Sequence, residues 1–382
     1  MEPITRADRR EAGFTLIELL VTMVITLVVM GATLTAMVHA MRANESARAV
    51  TGMNNNLRNA MDLIVRDLIQ VGQGLPTGRV VLVPAGVGAQ PINRPGPVGA
   101  NLTFDPAATE LSAVTPGPDL GPDVNGLPTD IITTIAGDTA FDQVPLVALT
   151  TTSMTVASNP AVPGALNISD GGADDVQVGD LIMLTKGAFS ALMYVTRTLN
   201  QQVFFEADDP MSLNQTDATL TLTGTIDQLL NAAPADVLPA GPASEQFLPT
   251  RATRIRMVTY YLNTTLDPTT PRLMRRLNWG TERPVDSGEF GAAVGFAVEN
   301  LQITYDLVDG VGNPANIRLD DDDLAGGGAC GADPCSVNQV RKVNVFLTGR
   351  SLGEFSATRQ FFRNSLTSQV SLRSLAFVDR YR

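Results

Sequence analysis

The sequence predicts an α+β fold: one long N-terminal helix, transmembrane in its first half and amphipathic in its second, packed on a mostly antiparallel β body. Three observations carry this. From Leu19 to Val38 the chain runs 20 residues without a charge. From Val50 to Val71 apolar residues recur every three or four positions, and beyond Gly72 the chain breaks into short Val-, Ile- and Thr-rich runs separated by Gly, Pro and Asn. With 382 residues there is ample material for a buried core.

The first segment, MEPITRADRREAG, is polar, and residues 1–13 read as a leader. Residues 14–40 follow as the transmembrane helix, since 20 uncharged residues make about 30 Å of helix, the thickness of a hydrocarbon core. A secretory signal peptide places its small-residue cleavage site after the apolar stretch, whereas Ala12-Gly13 precedes it here. Cleavage at Gly13 leaves the apolar helix on the mature chain with a new amine on Phe14. Arg6, Arg9 and Arg10 favour a cytoplasmic N-terminus, which puts everything beyond about Ala40 outside the cytoplasm. Glu18, one turn into the apolar stretch, costs about 3 kcal/mol if it lies deep in the bilayer. Two readings stand: it meets the Phe14 amine of a neighbouring copy, or it sits at headgroup level.

The run Gly13-Phe14-Thr15-Leu16-Ile17-Glu18-Leu19-Leu20 resembles the cleavage and methylation signal of type IV prepilins and pseudopilins. The resemblance implies that a prepilin peptidase cuts after Gly13, that Phe14 becomes the N-methylated first residue, and that Glu18 pairs with the adjoining subunit during assembly. It also implies a pilin-like fold. One departure is the lack of proline between Pro3 and Pro76, which leaves Gly31 as the only local weak point for a kink in the membrane helix.

Residues 41–75 continue as an amphipathic helix: Val50, Met53, Leu57, Ala60, Ile64, Leu68 and Val71 line one face, and Asp62 and Arg66 form an i,i+4 pair. Gly72, Gly74 and Pro76 stop it, so one helix is expected from Phe14 to about Val71. Its stripe suits either a covering sheet or a coiled-coil seam. Residues 76–382 form the β-rich extracytoplasmic domain. Up to residue 128 they read as loop with scattered strands, among them Arg79 to Val83. Strands are then expected at Asp130 to Ile135, Val144 to Val156, Val176 to Leu184, Ala188 to Leu199, Val203 to Glu206, Ala218 to Thr225, Arg254 to Leu262, Arg272 to Trp279, Phe296 to Leu307, Gln339 to Thr348 and Thr358 to Leu372.

Within the family, Asp62-Leu63-Ile64-Val65-Arg66-Asp67-Leu68, Val178-Gly179-Asp180-Leu181-Ile182, Leu273-Met274-Arg275-Arg276 and Val298-Glu299-Asn300-Leu301-Gln302 follow in the order of landmarks in PilW-type minor pilins, and are similar to the J-type minor pseudopilin of type II secretion. The resemblance implies a minor pilin that joins other minor and major pilins to start fibre assembly and sits at the tip. It further implies an anchor that passes once through the inner membrane, a periplasmic body and a fibre that emerges at the cell surface.

Cys330 and Cys335 flank a short loop in what is read as an oxidising compartment, so a disulfide is the leading pairing. A redox pair is the alternative, although neither the spacing nor a thioredoxin-like context fits it. Asp320 to Asp323 read as a solvated acidic loop or as a calcium site, the latter without the alternating ligand spacing of an EF-hand. A single histidine, His39, leaves a Ser-His-Asp triad and multi-histidine metal centres without parts, so no catalytic residue, resident metal or cofactor is assigned, and a membrane-anchored extracytoplasmic adhesin or enzyme is the disfavoured alternative to a pilin or pseudopilin subunit. The net charge of -12 argues against nucleic acid as a partner. It is uneven: residues 76–338 hold 12 basic and 30 acidic side chains, residues 339–382 eight and two. The basic end, Arg380 and Arg382 included, either pairs with the acidic body or faces another subunit.

Overall fold

The computed structural model describes the chain from Phe14 to Leu375, apart from residues 76–79, 157–175, 188, 200–201, 232–249, 266, 282, 285–296, 309–311, 326–327, 331–334 and 356–358. Gly13 with the rest of the leader, and Arg380 and Arg382, lie outside the described residues.

Helix α1 (Leu16–Gln70) is a single element of 55 residues, about 82 Å long. It passes through Gly31 without a break, because glycine only weakens a helix that nothing else disrupts. The amphipathic reading of its second half holds: Met53, Leu57, Ala60, Ile64 and Leu68 are buried, joined by Asn56 and Met61. Each large apolar side chain so covered contributes about 1.5–3 kcal/mol, which fixes the helix to the body rather than to a second helix.

The body is antiparallel at every strand pairing among the described residues. In chain order its strands begin with β1 (Val80–Leu82), β2 (Glu110–Ser112), β3 (Val114–Thr115) and β4 (Ile132–Gly137). Then come β5 (Val144–Leu149), β6 (Ser153–Val156), β7 (Leu181–Lys186), β8 (Phe189–Tyr194), β9 (Arg197–Leu199) and β10 (Gln202–Phe204). After the short helix α2 (Ile226–Asn231) follow β11 (Arg251–Asn263), β12 (Arg272–Leu277), β13 (Arg283–Pro284) and β14 (Ala297–Leu307). Helix α3 (Asp321–Ala325), β15 (Val340–Arg350) and β16 (Arg363–Ser371) complete the order.

Strand β11 organises the larger sheet. Its residues Val258 to Tyr260 pair with β12 and with β4, Ile255 with β4 and β7, and Ala252 with β5 and β7. A strand has two edges, so β12 and β7 must share one and β4 and β5 the other. A second sheet, β14-β15-β16, lies under α1, where Ile303, Tyr305, Val343, Val345, Leu347 and Val370 join the helix stripe in the main core. Strand β7 separates two cores: Leu181 and Met183 face the helix-side core, while Ile182 and Leu184 face a second one with Phe205, Ile226 and Leu229. That two-sided burial explains its continuous apolar run, since alternation appears only where one face meets water.

Several strand expectations need correction. Val144 to Val156 is two strands joined by a turn, with the Thr150 N–H donating to the Ser153 carbonyl at 2.8 Å. Ala188 to Leu199 is likewise broken at Val195. Ala218 to Thr225 is no strand at all. The Asp217 carboxylate takes the N–H groups of Thr219 (2.9 Å) and Leu222 (2.6 Å) and both threonine hydroxyls between them, and Leu220 is driven to φ +59. Side-chain bonding of this kind outcompetes a ladder despite the β-rich composition.

Candidate assembly helix

At the N-terminal end Thr15 caps α1. Its hydroxyl oxygen accepts the Glu18 N–H at 3.3 Å, and the Glu18 carboxylate accepts the Thr15 N–H and hydroxyl at 3.0 Å each. This reciprocal capping box satisfies donors that helix geometry leaves free, at the end of the dipole that favours a negative group. The apolar surroundings of Glu18 predict a partner across a subunit boundary or among headgroups. The signature Thr15-x-x-Glu18 was there to be read, and it offers a partner within the chain. Phe14 and Glu18 are both exposed, with Phe14 immediately before the cap.

From Leu16 to Glu45 every helix residue is exposed. This half is apolar enough and long enough to cross a membrane, with a mean hydropathy of 2.3 over its most apolar 18 residues. Its hydroxyls are turned inward: Thr22, Thr26, Thr33 and Thr35 each donate to a carbonyl three or four residues earlier, at 2.7–2.9 Å. Polar groups satisfied inside the helix cost little in hydrocarbon. The segment is therefore built to be covered by lipid or by other apolar helices, because the body covers none of it.

The far end of α1 is held by charge as well as packing. Asp67 accepts Nε–H of Arg275 on β12 at 2.8 Å and the Tyr260 hydroxyl of β11 at 2.6 Å. Burial, and then the adjacent carboxylate, push the Tyr260 hydroxyl well above its ordinary value, so it stays a donor. Arg275 is raised too: burial works against its charge, and the bonds to Asp67 outweigh it. Nothing local in the sequence announces a pairing of Asp67 and Arg275 across 208 positions.

The remaining predicted residues are placed as follows. Cys330 and Cys335 are joined, their Cα atoms 5.3 Å apart, which makes them a disulfide-capable pair. Of the acidic run, Asp323 is buried and structural: its carboxylate accepts the N–H groups of Leu319 (3.1 Å) and Ala329 (2.8 Å). Asp321 and Asp322 are exposed on α3, and among the described residues no three ligating side chains converge on a metal position. The basic end pairs in part with the body: Arg350 and Arg363 both reach Glu299, at 3.0 and 2.6 Å, and Lys342 reaches Asp306 at 3.6 Å.

A cleft of about 810 Å³ opens between the β2–β3 region and α3. At its floor lies Arg94, which sequence reasoning missed. It is buried, its Nη atoms donate to the carbonyls of Pro116 (2.7 Å) and Thr115 (2.9 Å), and burial pushes its pKa down to about 10. It stays charged at neutral pH and holds these loops together.

Residues 8–34 match the family described as the prokaryotic N-terminal methylation motif. No curated protein and no solved structure matches the chain. The matched stretch contains Gly13, Phe14 and Glu18, and the helix that begins within it fits an inner-membrane-anchored pilin. Such a motif implies processing by prepilin peptidase and assembly with other pilins. The chain thus carries a type IV prepilin-like signal, and that signal supports a type IV pilin or pseudopilin-type role.

Proposed function

We propose that the chain is a minor pilin of a type IV pilus, without catalytic activity of its own, that helps to initiate assembly and sits in the tip complex. Prepilin peptidase cuts after Gly13, Phe14 becomes the methylated N-terminus, and the helix holds the protein in the inner membrane with the body in the periplasm. The observation that carries this reading is the apolar first half of α1, wholly uncovered by its own body and headed by the methylation motif. A helix of that kind is stable in a bilayer or among like helices, and passage from one to the other is what fibre assembly requires. In this reading Glu18 exchanges its capping bonds to Thr15 for the Phe14 amine of a neighbour.

The test is a deletion strain scored for surface pili and for type II secretion together. Loss of pili with secretion intact supports the proposal. The reverse result makes the chain a pseudopilin, and loss of neither removes it from both fibres.

A further inference from the structure

We infer that the outer edge of β16 takes up an extended segment of a different pilin subunit as an added strand, an inference resting on the pilin-type reading above. The ladder between β15 and β16 defines that edge. The Ser351 N–H donates to the Phe362 carbonyl at 2.9 Å and the Leu372 N–H to the Arg341 carbonyl at 2.8 Å, with no register shift between them. Antiparallel bonding alternates along a strand, so Asn364, Leu366, Ser368 and Val370 bond to β15, while the backbone groups of Arg363, Ser365, Thr367, Gln369 and Ser371 point away from it. Of these outward N–H groups, only that of Ser365 has a partner among the described residues, the Asn364 side-chain oxygen at 3.0 Å.

The opposite edge of the same sheet is closed by the chain itself. Along β14 the Leu301 carbonyl accepts the Asp130 N–H at 3.0 Å, the Ile303 N–H donates to the Asp130 carboxylate at 2.7 Å, Tyr305 and Ile317 exchange both backbone bonds, and the Leu307 N–H donates to the Pro314 carbonyl at 2.8 Å. The larger sheet ends at β13, two residues that include Pro284, and at β9, three residues that begin with Arg197. Short strands, proline and charge are the usual means of blunting an edge. Strand β16 uses none of them. It has nine residues, no proline and no bulge, and its one charge, Arg363, is paired with Glu299 at 2.6 Å.

Direction and chemistry select the occupant. Asn364 donates to Asn54 at 2.7 Å and Leu375 lies against Gly72, so β16 runs beside the second half of α1 and in the same direction. Two copies joined edge to edge about a two-fold axis would pair their β16 strands antiparallel and send their α1 helices opposite ways, whereas both anchors must enter one membrane from the same side. The partner is therefore a different subunit, brought within reach by the same packing that covers the apolar half of α1. Val370 is buried in the helix-side core with Leu366 packed against it, while Ser365, Thr367 and Gln369 are exposed on the other face. The added segment accordingly alternates, aliphatic on the side of α1 and polar on the outside, and backbone bonds supply most of its hold.

The test is photo-crosslinking of the full chain in fibre-forming cells, with the photoreactive residue benzoylphenylalanine placed in turn at Ser365 on the edge, at Met23 in the apolar half of α1, and at Val87, which is 92 % exposed in the loop after β1. Cross-linked peptides are sequenced. The expected result is that Ser365 joins an extended segment of a chain of different sequence with a methylated N-terminus, that Met23 joins the helices of such chains, and that Val87 joins none. Thr367→Ala keeps the outward N–H and should retain the Ser365 product, whereas Thr367→Pro removes that donor without touching the ladder to β15 and should lower the yield roughly tenfold. If thermal unfolding shows that Thr367→Pro does not fold, Ser371→Pro takes its place at the end of the strand. Products at Met23 without one at Ser365 overturn the docking edge and leave the pilin-type reading standing. A Ser365 product within the chain or with a second copy, equal yields for the alanine and proline variants, or an equal product at Val87 overturns it as well. No product at Met23 removes the pilin-type reading and the edge with it.

Discussion

The Asp67 carboxylate on α1 meets the Arg275 guanidinium on β12 in a forked pair, Nε to Oδ2 at 2.8 Å and Nη2 to Oδ1 at 3.4 Å. Both side chains are only 10 % exposed. The pair ties the second half of the helix to the sheet that wraps it. Removing one partner strands a buried charge, so Asp67→Ala should lower unfolding free energy by about 3 kcal/mol. Asp67→Leu combined with Arg275→Met should cost clearly less than Asp67→Ala. Denaturant unfolding of the three variants measures both differences.

Gly13→Ala should impair cleavage and leave the leader attached. N-terminal mass analysis of the membrane fraction from cells with a working prepilin peptidase checks this, and an efficiently trimmed variant would contradict the assignment of Gly13. Glu18→Val should insert into the membrane normally, since it removes a carboxylate from an apolar segment, yet be depleted from sheared fibres.

Gly224 sits at φ +68, and a Cβ there would clash with the Val83 carbonyl oxygen. Both the backbone conformation and the space exclude a side chain. Gly224→Ala should destabilise the body by about 1–3 kcal/mol, read as a lower midpoint in thermal unfolding.

The Asp217 carboxyl is held well below its ordinary value, first by the Thr219 hydroxyl and then by the Leu222 N–H. A carboxyl depressed in the folded state stabilises above its unfolded pKa, and that contribution fades as pH falls from about 4 toward the folded value. Parent and Asp217→Asn should therefore differ most at neutral pH and converge in acid. A stability gap unchanged from pH 7 to pH 2 would show that the carboxylate's charge is not what matters.

Cys330 and Cys335 close a small loop whose second cysteine donates its N–H to the Asp323 carbonyl at 2.9 Å. The double change Cys330→Ser, Cys335→Ser should cost about 2 kcal/mol, the low end for a disulfide, because short loops lose little entropy on closure. Comparison of oxidised and reduced parent should give a similar difference.

The helix was legible because its information is local. An uncharged run as long as a bilayer is thick, a stripe at helical spacing and two glycines at the end determine where α1 runs, whatever surrounds it. Most long strands were legible for the same reason: Arg254 to Leu262 and Phe296 to Leu307 are β-branched and aromatic over more residues than any competing turn. The capping box at Thr15 and Glu18 is also local, but the apolar run around Glu18 points to partners outside the chain and masks it. What the tertiary structure alone decided is where distant parts meet. Nothing near Asp67 points to Arg275, nothing near Arg94 points to the carbonyls that hold it, and β7 shows no alternation because both its faces are covered. Ala218 to Thr225 has the composition of a strand and is curled by a single carboxylate at its head. Propensity acts along the chain over a few residues, whereas burial and charge pairing act through space between segments whose meeting no local pattern encodes.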